Sequence, residues 1–337
     1  MTTKSLVCSI ICGWFSFIQG CNTKEVHNYR QARSGAIAES PNTNDLNKSG
    51  AIAEGSNENK EEGEPVVGLN AAMIDSLCQV SNDPQIQFNI VGGQDANISD
   101  MVTKSTIRLN LGGGICTGTI IGPNHISTAS HCLEVINDPS EITIEWGTTP
   151  RAAPGISVSA FAMHPRYGNS SALFHDIGII TFDGEIPEGY GIAPVGNTKN
   201  LSAGTIVTLA GFGRTFDEDN ANRPLRFVEK SATFNPSLKE LQLDIGGGMG
   251  GCNGDSGGPS YIEDPDRPGC LRTLSATKGP GRASNGTCNQ GSGTLIDITL
   301  YQGWMRCNFE KMGRPLTYIL EKDTSEVDCD ATQIIAN

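Results

Sequence analysis

Thr106-Ile-Arg-Leu-Asn-Leu111, then Gly112-Gly-Gly114, then Thr117-Gly-Thr-Ile-Ile121 is the stretch that sets the fold class of this chain. Each apolar run is five or six residues long and stops at glycine, the pattern of short strands joined by tight turns. The same texture continues through Glu141-Ile-Thr-Ile-Glu145, Ile177-Gly-Ile-Ile-Thr-Phe182 and Thr205-Ile-Val-Thr-Leu-Ala210. Strands this short and numerous predict a sandwich or barrels. Only near Tyr301–Met312 does the pattern predict a helix. The 41 glycines among 337 residues fit a turn-rich β protein, and 37% hydrophobic residues are enough to build its core.

Before Ile90 the chain reads differently. Lys4 is followed by the apolar run Leu6–Ile18, too short to span a bilayer, which is the layout of a secretory signal peptide over residues 1–21. Its end, Ile18-Gln19-Gly20-Cys21, resembles the lipobox of bacterial lipoproteins, a resemblance that implies lipidation of Cys21 and attachment to a membrane. Gln19 departs from the small residue usual there, and the alternative is an ordinary signal peptide cut near Gly20. Either way the chain is expected outside the cytoplasm. Residues 22–65 read as a disordered, low-complexity linker, in which Ser34-Gly-Ala-Ile-Ala-Glu39 recurs as Ser49-Gly-Ala-Ile-Ala-Glu54. Two copies with so little apolar surface exclude a solenoid. Residues 66–89 regain hydrophobics, carry Cys78 and read as a prosegment.

A formal net charge of −13 argues against a nucleic-acid partner, which selects a basic surface. Of 11 cysteines, Cys8, Cys12 and Cys21 belong to the N-terminal segment. The other eight are Cys78, Cys116, Cys132, Cys252, Cys270, Cys288, Cys307 and Cys329. An even set scattered over a loop-rich chain predicts disulfides in an oxidising compartment. No Cys-x-x-Cys pair occurs among them, so zinc is disfavoured, and neither a metal nor a cofactor is expected.

Three segments carry chemistry. Thr128-Ala-Ser-His-Cys132 supplies a histidine, His175-Asp-Ile-Gly-Ile-Ile180 an aspartate, and Gly254-Asp-Ser-Gly-Gly-Pro259 a serine in a glycine-rich turn. A serine hydroxyl becomes a nucleophile when a neighbouring base takes its proton, and histidine has the pKa for that work. Taken singly, Gly-Asp-Ser-Gly reads as a surface turn and a lone buried His or Asp as structural. Their joint occurrence in the order His, Asp, Ser sets coincidence aside. His125, His164 and His175 read as structural.

In these motifs the chain resembles the trypsin/chymotrypsin family from Ile90 to about Met305. Ile90-Val-Gly-Gly93 matches the family's mature N-terminus, and Gly211-Phe-Gly213 its Gly-Trp-Gly turn with Phe212 in place of Trp. Gly293-Thr-Leu-Ile-Asp-Ile-Thr-Leu-Tyr-Gln-Gly-Trp-Met305 matches the segment leading into its C-terminal helix. The resemblance implies an all-β fold of two packed six-stranded antiparallel β-barrels with a short C-terminal helix. That domain would cover 90–306, with a C-terminal extension over 307–337. It implies a secreted serine endopeptidase acting on protein or peptide substrates through His131, Asp176 and Ser256, with an oxyanion hole from the N–H groups of Gly254 and Ser256. His131 and Asp176 lie 45 residues apart, as in the family, whereas the 80 residues from Asp176 to Ser256 imply shortened loops.

The same resemblance places the substrate pocket at Gly250 on its floor and Gly293 on its wall. Arg/Lys-specific members carry an Asp on that floor, so a glycine there implies uncharged side chains. Ser275-Ala-Thr-Lys278 stands where the family has Ser-Trp-Gly, which leaves the opposite wall open. The implied disulfides are Cys116–Cys132 and Cys252–Cys288; Cys78, Cys270, Cys307 and Cys329 keep three pairings. A zymogen is implied too, cut between Asn89 and Ile90 by an activating protease or by itself, with the freed Ile90 amino group pairing with Asp255. Asn89 departs from the Arg or Lys that trypsin-like activators cut after. Two other readings share these residues: a catalytically silent homologue used for binding or adhesion, and a hydrolase of esters.

Overall fold

The short apolar runs become strands of two closed barrels in the computed structural model of the chain. The structure describes residues 89–96, 101–149, 155–168, 175–198, 201–214, 223–235, 237, 240–243, 251–264, 270–280, 293–316 and 329–337. All of these fall in one unit, Gly63–Asn337. The signal peptide, Cys21, the linker, the prosegment up to residue 88, Gly250 and Cys288 lie outside the described residues.

Strands β2 (Thr106–Asn110), β3 (Ile115–Gly122), β4 (His125–Thr128), β5 (Thr143–Glu145), β6 (Ile156–Met163) and β7 (Gly178–Phe182) make the first barrel. They pair antiparallel in the order β6-β5-β2-β3-β4-β7, and β7 returns onto β6 to close the ring. Closure leaves an edge open on part of β6, beyond its short pairing with β5, and the C-terminal segment takes it. The interior holds Ile107, Leu109, Ile120, Ile126, Ile144, Phe161, Ile180 and Phe182, all completely buried. Burial of each contributes about 1.5–3 kcal/mol relative to exposure.

Strand β7 shows why its sequence is apolar on both faces. Ile180 and Phe182 point into the barrel, while Ile177 and Ile179 pack outward on Tyr301, Trp304, Met305 and Phe309. A strand covered on both sides reads as a continuous apolar run instead of an alternating one. The outer cover is the helix Gln302–Lys311, entered through a 3-10 turn over Ile298–Tyr301 in which the Asp297 carboxylate accepts the Thr299 N–H. This is the helix expected near Tyr301–Met312.

The second barrel comprises β8 (Thr205–Gly211), β9 (Arg226–Asn235), β10 (Glu240–Leu243), β11 (Pro259–Glu263), β12 (Leu271–Pro280) and β13 (Gly293–Asp297). The order is β9-β10-β13-β12-β11-β8, closed by β8 on β9. Val207, Leu209, Val228, Leu241, Leu243 and Leu295 fill it. Strand β1 (Asn89–Asp95) lies along β9, with Asn89 and Gln94 both opposite Phe227, so residues between them bulge out of the ladder. The fold expected from the family resemblance is the one found.

Three local features differ from the sequence reading. The strand expected from Glu141 starts at Thr143. Pro139–Glu141 is instead a 3-10 turn closed by a capping box, in which the Asp138 carboxylate accepts from Ser140 N–H and Glu141 accepts from the N–H groups of Asn137 and Asp138. Met101–Ser105 (α1) and Ser130–Leu133 (α2) are single helical turns, too short to show a period. The tail also carries structure: β14 (Ile334–Ala336) adds to β6, opposite Ala162, Phe161 and Ala160. Cys307 is bridged to Cys329, and the Trp304 indole donates to Thr332 Oγ1 at 2.9 Å.

Candidate active site

His131 and Asp176 meet because the strands carrying them pair. Thr128, three residues before His131, lies opposite Gly178, two residues after Asp176, on β4 and β7. The Asp176 carboxylate is fully buried and holds the histidine at two points. Oδ1 accepts the His131 backbone N–H at 2.8 Å, and Oδ2 lies 2.7 Å from ring Nδ1. With Nδ1–H donating to Asp176, Nε2 is left with its lone pair and faces away from the carboxylate.

The peptide at Asp176 is held from behind. His175 adopts φ +59°, an unusual value for a residue with a Cβ. Its ring stacks on His164, centroids 4.8 Å apart, and Tyr301 Oη lies 3.1 Å from its Nδ1. His164 in turn packs against Trp304. The helix Gln302–Lys311 therefore supports the Asp176 turn through two histidines. His125 is equally structural: its Nε2 lies 2.7 Å from the Arg314 carbonyl, and burial pushes its pKa down. Tyr167 stands over the same corner and donates to Glu134 Oε2 at 3.1 Å, with burial and the Asp176 charge pushing its pKa up.

The serine turn comes from the second barrel, just before β11. Asp255 N–H donates to Cys252 O at 2.9 Å and Gly258 N–H to Asp255 O at 2.9 Å, folding Cys252–Gly258 into two consecutive turns. Gly254 at φ +106° and Gly257 at φ +79° take conformations that residues with a Cβ avoid. Strand β3 of the first barrel then clasps the turn. Thr117 N–H donates to Ser256 O at 2.8 Å, and Thr117 Oγ1 donates to Gly254 O at 2.7 Å while accepting Phe212 N–H at 3.1 Å. Among the described residues, neither the Gly254 nor the Ser256 N–H has an acceptor.

The Cys116–Cys132 disulfide is formed, with Cα atoms 6.3 Å apart, and it joins β3 to the histidine turn. Cys132 Sγ lies 3.9 Å from His131 Nε2 and 3.7 Å from Ser256 O. Ligand atoms of Cys116, His131 and Cys132 also lie within 4.8 Å of one another. Both sulfurs are in the disulfide, however, so only one imidazole remains and a zinc site is not made. Cys252 and Cys270 are disulfide-bonded as well.

Asp255 turns its carboxylate away from the serine, into the protein. Oδ1 accepts Gly213 N–H at 2.7 Å and Oδ2 accepts Cys252 N–H at 2.8 Å. A Cβ at Gly211 or Gly213 would strike that carboxylate, which explains the glycines on either side of Phe212. Burial raises the Asp255 pKa to about 6, with the two N–H groups, Arg223 and Arg226 acting in the opposite direction. Gly293 opens β13, paired to Leu243 on one side and Pro280 on the other. Thr117, Tyr167 and Arg223 are the site neighbours that the sequence reading did not assign to the site; Tyr167 ends the His164-Pro-Arg-Tyr167 loop, read there as ordinary, and no motif marks Thr117 or Arg223.

Two six-stranded antiparallel barrels, a His–Asp pair from one and a Gly-Asp-Ser-Gly turn from the other define a chymotrypsin-like serine protease. Residues 90–305 match the family model described as Trypsin, and the chain belongs to that family. It is 28% identical over 193 residues to a trypsin of Saccharopolyspora erythraea, covering 52% of this chain and 82% of that protein. Identity to granzyme M of Homo sapiens is 26% over 210 residues, 57% of this chain and 80% of the relative. To a trypsin of Phaedon cochleariae it is 25% over 244 residues, 63% and 92% respectively. The protein is a trypsin-like serine endopeptidase, a hydrolase of protein or peptide substrates.

Proposed function

We propose that the chain is made as an inactive precursor, exported, and then cleaves peptide bonds through His131, Asp176 and Ser256. The observation carrying this reading is the buried Asp176 carboxylate held 2.7 Å from His131 Nδ1. Asp176 fixes the tautomer and stabilises the imidazolium; His131 Nε2 takes the Ser256 proton as Oγ attacks the scissile carbonyl. The resulting oxyanion is met by the N–H groups of Gly254 and Ser256, each worth about 3–4 kcal/mol in the transition state. His131 then passes the proton to the leaving amine, and water repeats the sequence on the acyl-enzyme.

The Asp255 environment supports the precursor state. In the uncut chain Ile90 N is a peptide nitrogen and carries no charge, so it cannot neutralise the buried carboxylate. A cut between Asn89 and Ile90, by another protease or by the enzyme itself, frees an ammonium for that partner. Gly250 and Gly293 would shape a pocket without a floor charge, suited to uncharged side chains. With Cys307 and Cys329 joined, the Cys252–Cys288 bridge that the family resemblance implies would leave Cys270 to Cys78, a bond that would keep the prosegment attached after cutting. Export rests on the signal peptide, with Cys21 lipidated as the membrane anchor. Among the described residues no helix is long and apolar enough to cross a membrane.

The test is a serine-directed phosphonate followed by kinetics of Ser256→Ala, His131→Ala and the double variant. Wild-type enzyme should be labelled at Ser256. Each single change should lower kcat by several orders of magnitude, with little further loss in the double. Additive losses, or an active Ser256→Ala protein, would falsify the triad.

A further inference from the structure

Each oxyanion-hole N–H belongs to a peptide unit whose carbonyl points the opposite way, because a trans peptide sets C=O and N–H antiparallel. No cis peptide occurs among the described residues. Whatever holds those two carbonyls therefore aims the two N–H groups. For Ser256 the unit is Asp255–Ser256, and its carbonyl is held by a backbone donor, Gly258 N–H at 2.9 Å. For Gly254 the unit is Asn253–Gly254, and its carbonyl takes two donors. Arg214 N–H reaches Asn253 O at 3.0 Å, and the Arg223 guanidinium reaches it through Nη1 at 3.2 Å.

We propose that Arg223 is a positioning residue for catalysis: it grips the Asn253 carbonyl and so fixes the Gly254 N–H toward the developing oxyanion. The proposal rests on the oxyanion hole assigned above. Three observations carry it. Arg223 is 9% exposed, so its side chain is committed to this place. A Cβ at Gly254 would fall 2.8 Å from Arg223 Nη1, so the guanidinium lies directly against the glycine whose amide it orients. Gly254 at φ +106° belongs to a region of backbone space that glycine occupies freely, so its peptide needs an outside hold to keep one orientation. Charge adds to the grip, since a hydrogen bond from a guanidinium is about twice as strong as a neutral one.

Arg223 acts on the oxyanion through the Gly254 peptide, so its effect on the chemistry should appear where the oxyanion appears; its charge also favours the ionised Asp255, an influence that Arg223→Lys preserves. Removing an oxyanion donor outright lowers kcat by about 100- to 1,000-fold. Loosening one donor that keeps its second hold at Arg214 N–H should lower kcat by about tenfold. KM should stay within about twofold, because the ground-state carbonyl leans little on that N–H.

The experiment uses processed enzyme, with sites counted by phosphonate titration so that misfolded protein does not enter kcat. Arg223→Ala should lose about tenfold in kcat and about tenfold in affinity for a peptide boronic acid, whose adduct with Ser256 places an oxygen in the hole. Affinity for a product-like peptide should be unchanged. Arg223→Lys, which restores a cationic donor, should recover kcat to within about threefold of wild type. Wild-type kcat per titrated site and wild-type boronate affinity in Arg223→Ala would overturn the proposal. An equal loss for the product-like peptide would also overturn it, by reducing Arg223 to a pocket support. Should Arg223→Ala fail to fold, Arg223→Gln is read by the same two affinities. Wild-type enzyme that neither titrates with phosphonate nor binds the boronate would instead remove the oxyanion-hole assignment itself.

Discussion

Asp255 offers a stability measurement that separates the uncut chain from the cut one. Burial raises its folded pKa from 3.8 to about 6, the reverse of the usual aspartate. The folded state therefore holds this proton more tightly than the unfolded chain does. The stability that results is fully present below about pH 4, is lost as pH rises through 6, and is absent at pH 7. At about 1.4 kcal/mol per pH unit the loss is on the order of 3 kcal/mol. Against a total of about 5–15 kcal/mol that is large enough to measure by urea unfolding. Ser256→Ala protein avoids self-digestion, and Asn89→Arg in that background allows a clean cut before Ile90. Asp297, also raised to about 6 by burial, titrates in the same window, so the comparison needs Asp255→Asn as its baseline. Uncut protein should lose about 3 kcal/mol more than its Asp255→Asn counterpart between pH 4 and pH 7. After the cut that extra loss should vanish, because the Ile90 ammonium pairs with the ionised carboxylate. It should return above about pH 8 as the amine deprotonates. Equal losses in the uncut protein with and without Asp255 would refute the account of a carboxylate waiting for its cation.

Four further outcomes are expected. Gly257→Ala should destabilise by more than about 3 kcal/mol in urea, since a Cβ there meets Thr128 Oγ1, Thr117 O and Ala129 N at φ +79°; a neutral effect contradicts the packing of the turn. Removing residues 331–337 takes away β14 and the Thr332 partner of the buried Trp304 N–H; stability should fall by about 2–3 kcal/mol with kcat intact, and an unchanged Tm would show the strand idle. A peptide-library digest should show cleavage after uncharged residues, with Gly250→Asp moving it toward Arg and Lys; a native preference for Arg or Lys rules out the uncharged floor. In a bacterial host Cys21→Ser should release active protein from membranes, whereas soluble wild type with another N-terminus leaves simple secretion.

The residues legible in sequence were those whose chemistry restricts the residue type. A base, its carboxylate partner and a hydroxyl in a glycine turn admit few substitutes, so His131, Asp176 and Ser256 stand out. Their supports do not. Thr117 works through a backbone N–H and a hydroxyl that serine could also supply, and nothing around it marks a site. Arg223 acts on a carbonyl 30 positions away, in a loop without a motif. Strand β14 is three residues long, and its partner β6 is chosen by the barrel wall it meets rather than by its own pattern. The capping box at Asp138-Pro-Ser-Glu141 was different. Its Asp-x-x-Glu spacing with Pro at the first helical position is a helix-start signal that stands in the sequence itself.

Thr117 also explains how two barrels keep one geometry. It belongs to β3, yet its N–H, its hydroxyl donor and its hydroxyl acceptor all serve the second barrel, on Ser256 O, Gly254 O and Phe212 N–H. Its own carbonyl is taken by Thr128 Oγ1, three residues before His131. One buried residue therefore ties the strand that leads to His131 to the turn that carries Ser256. The neighbouring Cys116–Cys132 bridge repeats the connection covalently, fixing β3 to the histidine turn. Relative motion of the barrels would leave these buried polar groups unpaired at about 1–3 kcal/mol each, so sliding at the cleft is opposed where the chemistry needs it fixed.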